Sequence, residues 1–348
     1  MMVDIYTRDI ITASNNVLNK TKLYGKRFLI TGASGLVGRA VIKMLSVCNK
    51  NDNANIKIVA CGRSADELKL IFSPLDDENI SYCETDYSKQ MKPDGVFDGI
   101  IHLAAITSSQ MFASDPAKVI FDNIKMLQMV FNFASTQKKS RLVYVSSQEV
   151  YGEPYKRQKT LKEDEFGFLS INDTRSIYPY TKRIGELLCT TYKKQYGLDF
   201  VVLRFAKLFG ADFHESDKRI GADFLLRAAK GEIITLNTKG TQKVSFCYIL
   251  DAVAALLSVF TTAQSGEIYN AAECGRAVTP FEFANICAKY GNTEVTVKET
   301  KTDLGYSKVS HMVLDYNKIK ELGFNSLYNI ETAIKRSIEI LKRGHFYL

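Results

Sequence analysis

The chain has 348 residues, 46% of them hydrophobic and 24% charged, which suffices for one large domain or two that share a core. Its net charge is +8, but lysine and arginine form no long basic run, so the charge favours anionic ligands over nucleic acid. The N-terminal segment is acidic, which argues against a signal peptide, and no apolar stretch of about 18 residues could form a membrane span. The seven cysteines include no C-x-x-C pair, which argues against a disulfide scaffold and a zinc site. We therefore expect a soluble protein of the reducing cytoplasm.

Short β-branched runs alternate with helical patterns over the first 210 residues or so, which predicts βαβ units and a parallel sheet. The expected strands are 27–30, 56–61, 99–105, 141–147 and 198–210, and the expected helices are 38–48 and 117–135. Residues 1–24 are expected to form a leading helix. The charged segment 153–177 lacks periodicity and is too long for an ordinary connection, which predicts a functional loop over a site.

A glycine-rich segment, "LITGASGLVG", places Gly32, Gly35 and Gly38 between a predicted strand and a predicted helix. Glycine permits a tight turn, lets the backbone approach a pyrophosphate and allows the helix to pack closely on the sheet. The helix N-terminus then offers free N–H groups to the phosphates. This context predicts a dinucleotide site, and the alternative is a tight turn without a ligand.

The end of the second predicted strand bears on which dinucleotide binds. An NAD site usually has Asp or Glu there for the ribose 2′-hydroxyl, whereas this chain reads "ACGRSADEL". Arg63 and Ser64 offer donors suited to a 2′-phosphate, so we expect NADP in preference to NAD. Asp86 of "TDY" is a candidate acceptor for the adenine amino group. The segment "HLAA" is expected beside the phosphates and ribose, with His102 itself packed in the strand.

The segment "RSIYPYTKRIGELL" holds two tyrosines and a lysine at the start of a predicted helix. Tyr178 and Lys182 are at positions i and i+4 and share a helix face, whereas Tyr180 and Lys182 point in different directions. The lysine ammonium would lower the pKa of the phenol, making Tyr178 usable as an acid or base near neutrality. Ser147, at the end of the preceding core strand, would be its hydroxyl partner.

Together these segments resemble an extended short-chain dehydrogenase/reductase of the NAD(P)-dependent nucleotide-sugar epimerase/dehydratase family. The resemblance covers most of the chain and rests on "TGASGLVG", "HLAA", "DNIKMLQMVF", "SSQEVYG", "YPYTKRIGE", "LRFAKLFG" and "GTQKVSFCYILDA". It implies an α/β fold with a Rossmann-type doubly wound parallel sheet in residues 25–210, completed by about 244–272, after the helical extension 1–24. A smaller mixed α/β substrate lobe would comprise 211–243 and 273–348.

The resemblance also implies the site residues. Ser147, Tyr178 and Lys182 would form a catalytic triad, and Lys182 would also hold the nicotinamide ribose. The other expected cofactor contacts are Gly32, Ser34, Gly35, Leu36, Val37, Gly38, Arg63, Ser64, Asp86, Tyr87, Leu103, Ala104, Ala105, Asn123 and Phe205. The expected substrate contacts are Thr107, Ser147, Gln148, Lys207, Arg219, Lys243 and His311. No metal site is expected, because His214 and His345 lack partners at metal-ligand spacing.

Three positions depart from the family pattern. Val244 in "GTQKVSF" and His311 in "HMVLDYNK" replace arginines that clamp the substrate diphosphate. Lys243 is adjacent to Val244 but would point to the other face of the strand. Lys207 in "RFAKLFG" replaces an asparagine and could supply one of the missing positive charges. An unusual nucleotide sugar or a simpler phosphorylated sugar is therefore an open alternative.

Glu149 is the residue that best distinguishes among the possible reactions of such an enzyme. In an extended strand end it would face the same side as Ser147, and the resemblance to dehydratases makes it the base that removes the proton α to a 4-keto group. Gln148 cannot donate a carboxylic proton to a departing hydroxyl. Epimerase, 4,6-dehydratase and ketosugar reductase stay open, in bacterial capsule or O-antigen sugar synthesis. The alternative from another class, a non-enzymatic NADP-sensing protein of the same fold, is disfavoured by the intact triad.

The helix expected over 117–135 carries Phe121, Ile124, Leu127 and Phe131 at helical spacing. Such spacing is typical of a core or interface face. In the family this helix and the Tyr178 helix commonly form a four-helix contact between subunits. The resemblance therefore implies a homodimer.

Overall fold

The computed structural model describes residues 4–86, 93–155, 159–214, 217–271, 276–300 and 309–344. Within them the strands are β1 (Arg27–Thr31), β2 (Lys57–Gly62), β3 (Ile80–Glu84), β4 (Gly99–His102), β5 (Arg141–Ser147), β6 (Asp199–Phe205), β7 (Lys207–Phe209), β8 (Ile234–Leu236), β9 (Lys243–Val244), β10 (Phe246–Tyr248), β11 (Ile268–Ala271), β12 (Val295–Val297) and β13 (His311–Met312). The α-helices are α1 (Ile5–Asn15), α2 (Leu36–Asp52), α3 (Ala65–Phe72), α4 (Ser109–Ser114), α5 (Pro116–Thr136), α6 (Ile177–Tyr196), α7 (Ile220–Lys230), α8 (Ile249–Thr262), α9 (Pro280–Gly291), α10 (Asn317–Glu321) and α11 (Ile330–Arg343).

Seven of the strands form one parallel sheet in the order β11–β6–β5–β4–β1–β2–β3. The strand order reverses between β1 and β4, as in a Rossmann-type sheet. Alternate residues of each strand enter different apolar clusters: Phe28 and Ile30 pack on one face, and Leu29 on the other. Because both faces are buried, the strands read as nearly continuous apolar runs. The predicted doubly wound α/β fold is confirmed.

The N-terminal helix α1 packs on α2 and α8. Asp4 caps it by accepting hydrogen bonds from the N–H groups of Tyr6 and Thr7, and its apolar face buries Tyr6 and Ile10. Asp9, also buried, forms an ion pair with Arg336 of α11. Helix α1 is therefore part of the core and links the two ends of the described chain.

The lobe beyond β6 is built from helices α7, α9 and α11, which pack on one another. Three short parallel strand pairs accompany them: β7 with β10, β8 with β12, and β9 with β13. Strand β11 returns the chain to the edge of the main sheet beside β6. The domain boundaries given by the sequence stay a prediction.

A buried polar cluster fixes part of the segment that the sequence predicts to be a functional loop. The fully buried Arg204 guanidinium donates two hydrogen bonds to the Glu186 carboxylate, at 2.9 and 2.7 Å. It also donates to the Tyr151 hydroxyl at 2.9 Å and to the carbonyl of Glu163 at 2.8 Å. Asn270 accepts from Tyr151 at 2.7 Å. The cluster thereby connects α6, the sheet and the loop.

Candidate active site

A cavity of about 1930 Å³ lies at the carboxyl ends of the sheet strands and extends to the C-terminal lobe. Ligands of open α/β sheets bind at this edge, where the strand order reverses. Of the residues predicted from the sequence, these line the cavity: Gly32, Ser34, Gly35, Leu36, Val37, Gly38, Arg63, Asp86, Leu103, Ala104, Ala105, Thr107, Ser147, Gln148, Glu149, Tyr178, Lys182, Phe205, Lys207 and Arg219. The structure therefore brings most of the predicted site together.

Four predicted residues do not line the cavity. Asn123 is buried, and its amide is paired with both backbone groups of Ile106, at 2.8 and 3.3 Å. The Ser64 hydroxyl caps α3 by accepting from the N–H of Glu67. The other two, Lys243 and His311, lie opposite each other on β9 and β13. Tyr87 lies outside the described residues.

The turn between β1 and α2 has the geometry that a pyrophosphate requires. Gly32 has φ +69°, and a Cβ there would lie 2.8 Å from the Ala104 nitrogen. A Cβ on Gly38 would lie 2.4 Å from the Gly32 carbonyl oxygen, so the helix packs against the turn. Helix α2 starts after Gly35 without a side-chain cap, so its first N–H groups face the cavity. These residues fit a dinucleotide.

The adenosine end of the cavity holds one cation and two acids. Arg63 is exposed at the end of β2, and Asp86 is exposed after β3. Glu84, which the sequence reasoning missed, also lines the cavity and lies beside Gly62 in the strand register. The neighbouring strand β3 thus brings an acid beside the end of β2, which has none of its own.

The chain leaves β4 through a turn held by Thr31. The Thr31 hydroxyl lies 3.2 and 3.3 Å from the N–H groups of Leu103 and Ala104, and 2.8 Å from Nδ1 of His102. His102 is buried and stacks on Tyr144, and burial lowers its pKa to about 3. It therefore acts as a packed neutral strand residue beside the cavity wall.

Tyr178 and Lys182 share the inner face of α6. The Lys182 ammonium lies 5.9 Å from the centre of the Tyr178 ring and donates to the carbonyl of Val145 at 2.8 Å. Ser147, at the end of β5, lines the same cavity and lowers the pKa of Tyr178. Tyr180 instead donates to the carbonyl of Leu169 at 2.9 Å. The structure thus brings Ser147, Tyr178 and Lys182 together, whereas Tyr180, also in α6, contacts the loop that contains Leu169.

The pKa of the Tyr178 phenol differs from the prediction. Burial, and to a smaller extent the charge of Glu149, raise the pKa of Tyr178 to about 12, although Ser147, Arg175 and Arg219 act to lower it. Burial also lowers the pKa of Lys182 to about 8. The expected lowering of the phenol pKa is therefore wrong for the protein by itself, because removal of the phenol from water outweighs the neighbouring positive charges.

Glu149 reaches the cavity by a different backbone path from the predicted one. The chain does not stay extended after Ser147, because Gln148–Tyr151 forms a 3₁₀ turn. The Ser147 hydroxyl caps this turn by accepting from the N–H of Glu149 at 3.2 Å. The expected alternation of an extended strand is therefore wrong here, although both side chains still line the cavity.

Arg175 is a site residue that the sequence reasoning missed. Its guanidinium lies 2.6 Å from a carboxylate oxygen of Glu149, and it covers the rings of Phe112 and Tyr178 at 4.9 and 5.9 Å. Phe112 in turn stacks on Tyr178 with 5.7 Å between ring centres. Arg175 precedes Tyr178 by three positions, a spacing that could have indicated a shared helix face.

The wall opposite the triad belongs to the C-terminal lobe. Lys207 of β7 lines it, as does Arg219, which precedes α7 and hydrogen-bonds to Asp217 at 2.9 and 3.0 Å. Val244, at a family arginine position, is buried in the lobe core. Nε2 of His311 donates a hydrogen bond to the carbonyl of Lys159, 3.2 Å away. The two family diphosphate positions therefore supply no arginine to this cavity.

The sequence profile of the NAD dependent epimerase/dehydratase family matches residues 28–272. The chain belongs to this family. Its resemblance to enzymes of the extended short-chain type is thereby confirmed, and the match spans β1 to β11, the elements that form the sheet and the glycine-rich turn.

Individual relatives agree with the family. The chain is 29% identical over 242 residues to UDP-glucuronic acid decarboxylase 6 from Arabidopsis thaliana, covering 70% of this chain and 68% of the relative. It is 25% identical over 337 residues to dTDP-glucose 4,6-dehydratase from Shigella flexneri, covering 90% and 92%. The solved UDP-glucuronic acid 4-epimerase from Bacillus cereus, in complex with UDP-glucuronic acid and NAD, superposes with a TM-score of 0.76 at 18% identity, over 92% of this chain and all of that one.

Two further findings concern other kinds of site. No helix in the described part of the chain is long and apolar enough to cross a membrane. Among the same residues, no group of three or more His, Cys, Asp or Glu side chains is placed to hold a metal ion.

Proposed function

We infer that this family member is an NAD(P)-dependent nucleotide-sugar epimerase or dehydratase that acts through a transient 4-keto sugar. The observation that carries this inference is the position of Tyr178, Lys182 and Ser147 in one cavity with the glycine-rich turn. The names of the relatives, which act on UDP- and dTDP-linked sugars, support a nucleotide sugar as the substrate. A ketosugar reductase would use the same triad and is the second candidate.

The first chemical step removes two hydrogens from the sugar. When bound, the nicotinamide accepts the hydride from C4 or returns it. Tyr178, as the phenolate, accepts the proton of the C4 hydroxyl, and Ser147 hydrogen-bonds to the same oxygen. Arg175 and Arg219 favour the phenolate, while burial and Glu149 disfavour it. Lys182 would hold the nicotinamide ribose beside Tyr178, so that the proton would leave the C4 hydroxyl oxygen while the hydride leaves C4.

Glu149 would act on the keto sugar rather than on the alcohol. A carbon next to a carbonyl is acidic enough for a carboxylate to remove its proton, and the ion pair with Arg175 positions the Glu149 carboxylate at the cavity. Gln148 has no acidic proton to assist a departing hydroxyl. We therefore favour epimerisation next to the carbonyl over dehydration that relies on an acid at this position.

The preference between NAD and NADP is inferred from Arg63 and Glu84, which line the end of the cavity where the adenosine would bind. Arg63 matches a 2′-phosphate, which favours NADP. Glu84 instead favours NAD, because a carboxylate accepts hydrogen bonds from a 2′-hydroxyl and repels a phosphate. We propose that Arg63 governs the choice, since a guanidinium can turn its forked donors toward a phosphate.

The cellular setting is also a proposal. Synthesis of a capsule or O-antigen sugar in the bacterial cytoplasm would suit an enzyme of this chemistry. Helices α5 and α6 pack side by side and expose Phe121, Ile124 and Leu187, whereas Leu127 and Phe131 are buried in the core. We propose that this exposed apolar face forms a homodimer, as sedimentation at micromolar concentration would test.

The inferred function is tested by turnover of nucleotide sugars with Tyr178→Phe. Loss of the acid/base group should lower kcat by roughly 10²–10⁴ with the cofactor still bound. Near-normal turnover in this variant would exclude the proposed role of Tyr178, and cofactor binding without turnover of any sugar by the wild type would favour a non-enzymatic sensor.

A further inference from the structure

Lys207 is a positively charged group that the mechanism above does not use. It lines the cavity at the start of β7, at a position where the family resemblance leads to an asparagine. Its ammonium has no hydrogen bond or ion pair within the described part of the chain. A charge in a partly buried position without a partner costs free energy unless a ligand supplies the opposite charge.

The surroundings of Lys207 locate it at the sugar. Glu149 and Arg175 act electrostatically on Lys207 and also on Tyr178, so these groups share one region of the cavity. Tyr178 must contact the oxygen that loses its proton. Lys207 therefore lines the cavity in the same region as Tyr178, where the reacting carbon would lie.

The two arginines that act on Tyr178 already have carboxylate partners, and Lys182 donates to the carbonyl of Val145. Arg175 is paired with Glu149, and Arg219 with Asp217. Nε and Nη1 of Arg175 are buried without a hydrogen-bond acceptor in the described residues and lie against aromatic rings. The region thus has an excess of positive charge and of unused donors. A neutral sugar would leave that excess unmatched, whereas an anionic substituent on the ring would match it.

We propose that Lys207 binds a carboxylate carried by the sugar ring, so that the substrate is a nucleotide-linked sugar acid. This proposal rests on the proposed function, which places a nucleotide sugar in the cavity. A carboxylate on C5 would lie two bonds from the C4 that Tyr178 and the nicotinamide oxidise. Lys207 is then a specificity-determining residue, with Arg175 as the neighbouring cation that keeps the pocket positive around Glu149.

The test compares the binding of UDP-glucuronate, UDP-glucose and UDP by calorimetry in the presence of cofactor. The wild type should bind UDP-glucuronate more tightly than UDP-glucose. Lys207→Met should weaken UDP-glucuronate binding by about ten- to 100-fold, the typical contribution of a charged hydrogen bond, and leave UDP-glucose and UDP unchanged. Lys207→Arg should retain most of the preference. Lys230→Met, on the exposed end of α7, is the matched control for loss of a positive charge.

Three outcomes would overturn the assignment. Equal weakening of all three ligands in Lys207→Met would place Lys207 on the diphosphate. If the wild type bound UDP-glucuronate and UDP-glucose with equal affinity, or bound neither, the proposed preference for a sugar with a carboxylate would be wrong. The proposed function fails independently of this test, because binding preference is measured without turnover. Unchanged cofactor affinity and unfolding temperature in Lys207→Met would show that the variant is folded.

Discussion

The guanidinium of Arg175 lies 2.6 Å from the carboxylate of Glu149, and both residues act on the Tyr178 phenol in opposite directions. The arginine favours the phenolate, and the glutamate disfavours it. The ion pair therefore couples the proton transfer at Tyr178 to Glu149, the base that we propose for the carbon next to the ketone. Each residue can be changed separately to measure this coupling.

The first prediction concerns the pH dependence of kcat/KM. Tyr178 must lose its proton to act as a base, so activity should rise with pH as the phenol ionises. Arg175→Met removes a positive charge that lowers the pKa of Tyr178, and this rise should move to higher pH. Glu149→Gln removes a negative charge that raises the same pKa, and the rise should move to lower pH. Shifts in the same direction, or none, would contradict the electrostatic account, and Lys118→Met at the cavity rim is the control.

The second prediction separates dehydration, or epimerisation at the carbon next to C4, from 4-epimerisation and simple reduction. If Glu149 removes a proton from a carbon next to C4, reaction in deuterated water should place deuterium on that carbon of the product. Glu149→Gln should abolish the carbon-bound deuterium while hydride transfer remains detectable. Product NMR makes the measurement. A wild-type product without carbon-bound deuterium would remove Glu149 from the mechanism and leave a 4-epimerase or reductase.

The third prediction concerns the cofactor. Arg63→Ala should weaken NADP binding much more than NAD binding, because only NADP carries the 2′-phosphate that the guanidinium would contact. Glu84→Gln should improve NADP binding, since it removes a negative charge from the same end of the cavity. Dissociation constants for both cofactors give the answer. Equal losses for the two cofactors in Arg63→Ala would mean that Arg63 contacts only the adenine or solvent.

The fourth prediction concerns stability. Arg204→Met leaves the buried Glu186 carboxylate without its main partner and should lower the free energy of unfolding by about 3–5 kcal/mol. Replacing both residues, in Arg204→Met with Glu186→Leu, should cost less than Arg204→Met alone, because no buried charge then remains. Urea unfolding of the wild type, Arg204→Met, Glu186→Leu and the double variant forms the cycle. Additive losses would show that the two side chains do not depend on each other.

Local sequence patterns were sufficient for the sheet and for most of the cavity. The strand–turn–helix around Gly32 depends on neighbouring residues only, and the pairing of Tyr178 with Lys182 depends on one turn of helix. Both features were therefore predictable from spacing. The strand β4 ended earlier than expected, at His102, because the Thr31 hydroxyl binds the next N–H groups and turns the chain.

Features that depend on contacts distant in sequence were missed. Arg175 meets Glu149 across the loop, and Glu84 comes to lie beside the end of β2 only because β3 pairs with β2. The turn at Gln148 could not be read from alternation, since the Ser147 hydroxyl competes with the strand for a backbone N–H. The raised pKa of Tyr178 likewise follows from burial by packed neighbours, which spacing does not reveal.

The central claim, hydride transfer from C4 of a nucleotide sugar with Tyr178 as the base, is tested most directly with UDP-glucuronate deuterated at C4. When the reaction of the wild type with oxidised cofactor is quenched during the first turnover, mass spectrometry should find deuterium in the reduced nicotinamide, and Tyr178→Phe should show little or none over the same time. Absence of deuterium from the nicotinamide in the wild type, with UDP-glucuronate bound and consumed, would contradict the claim.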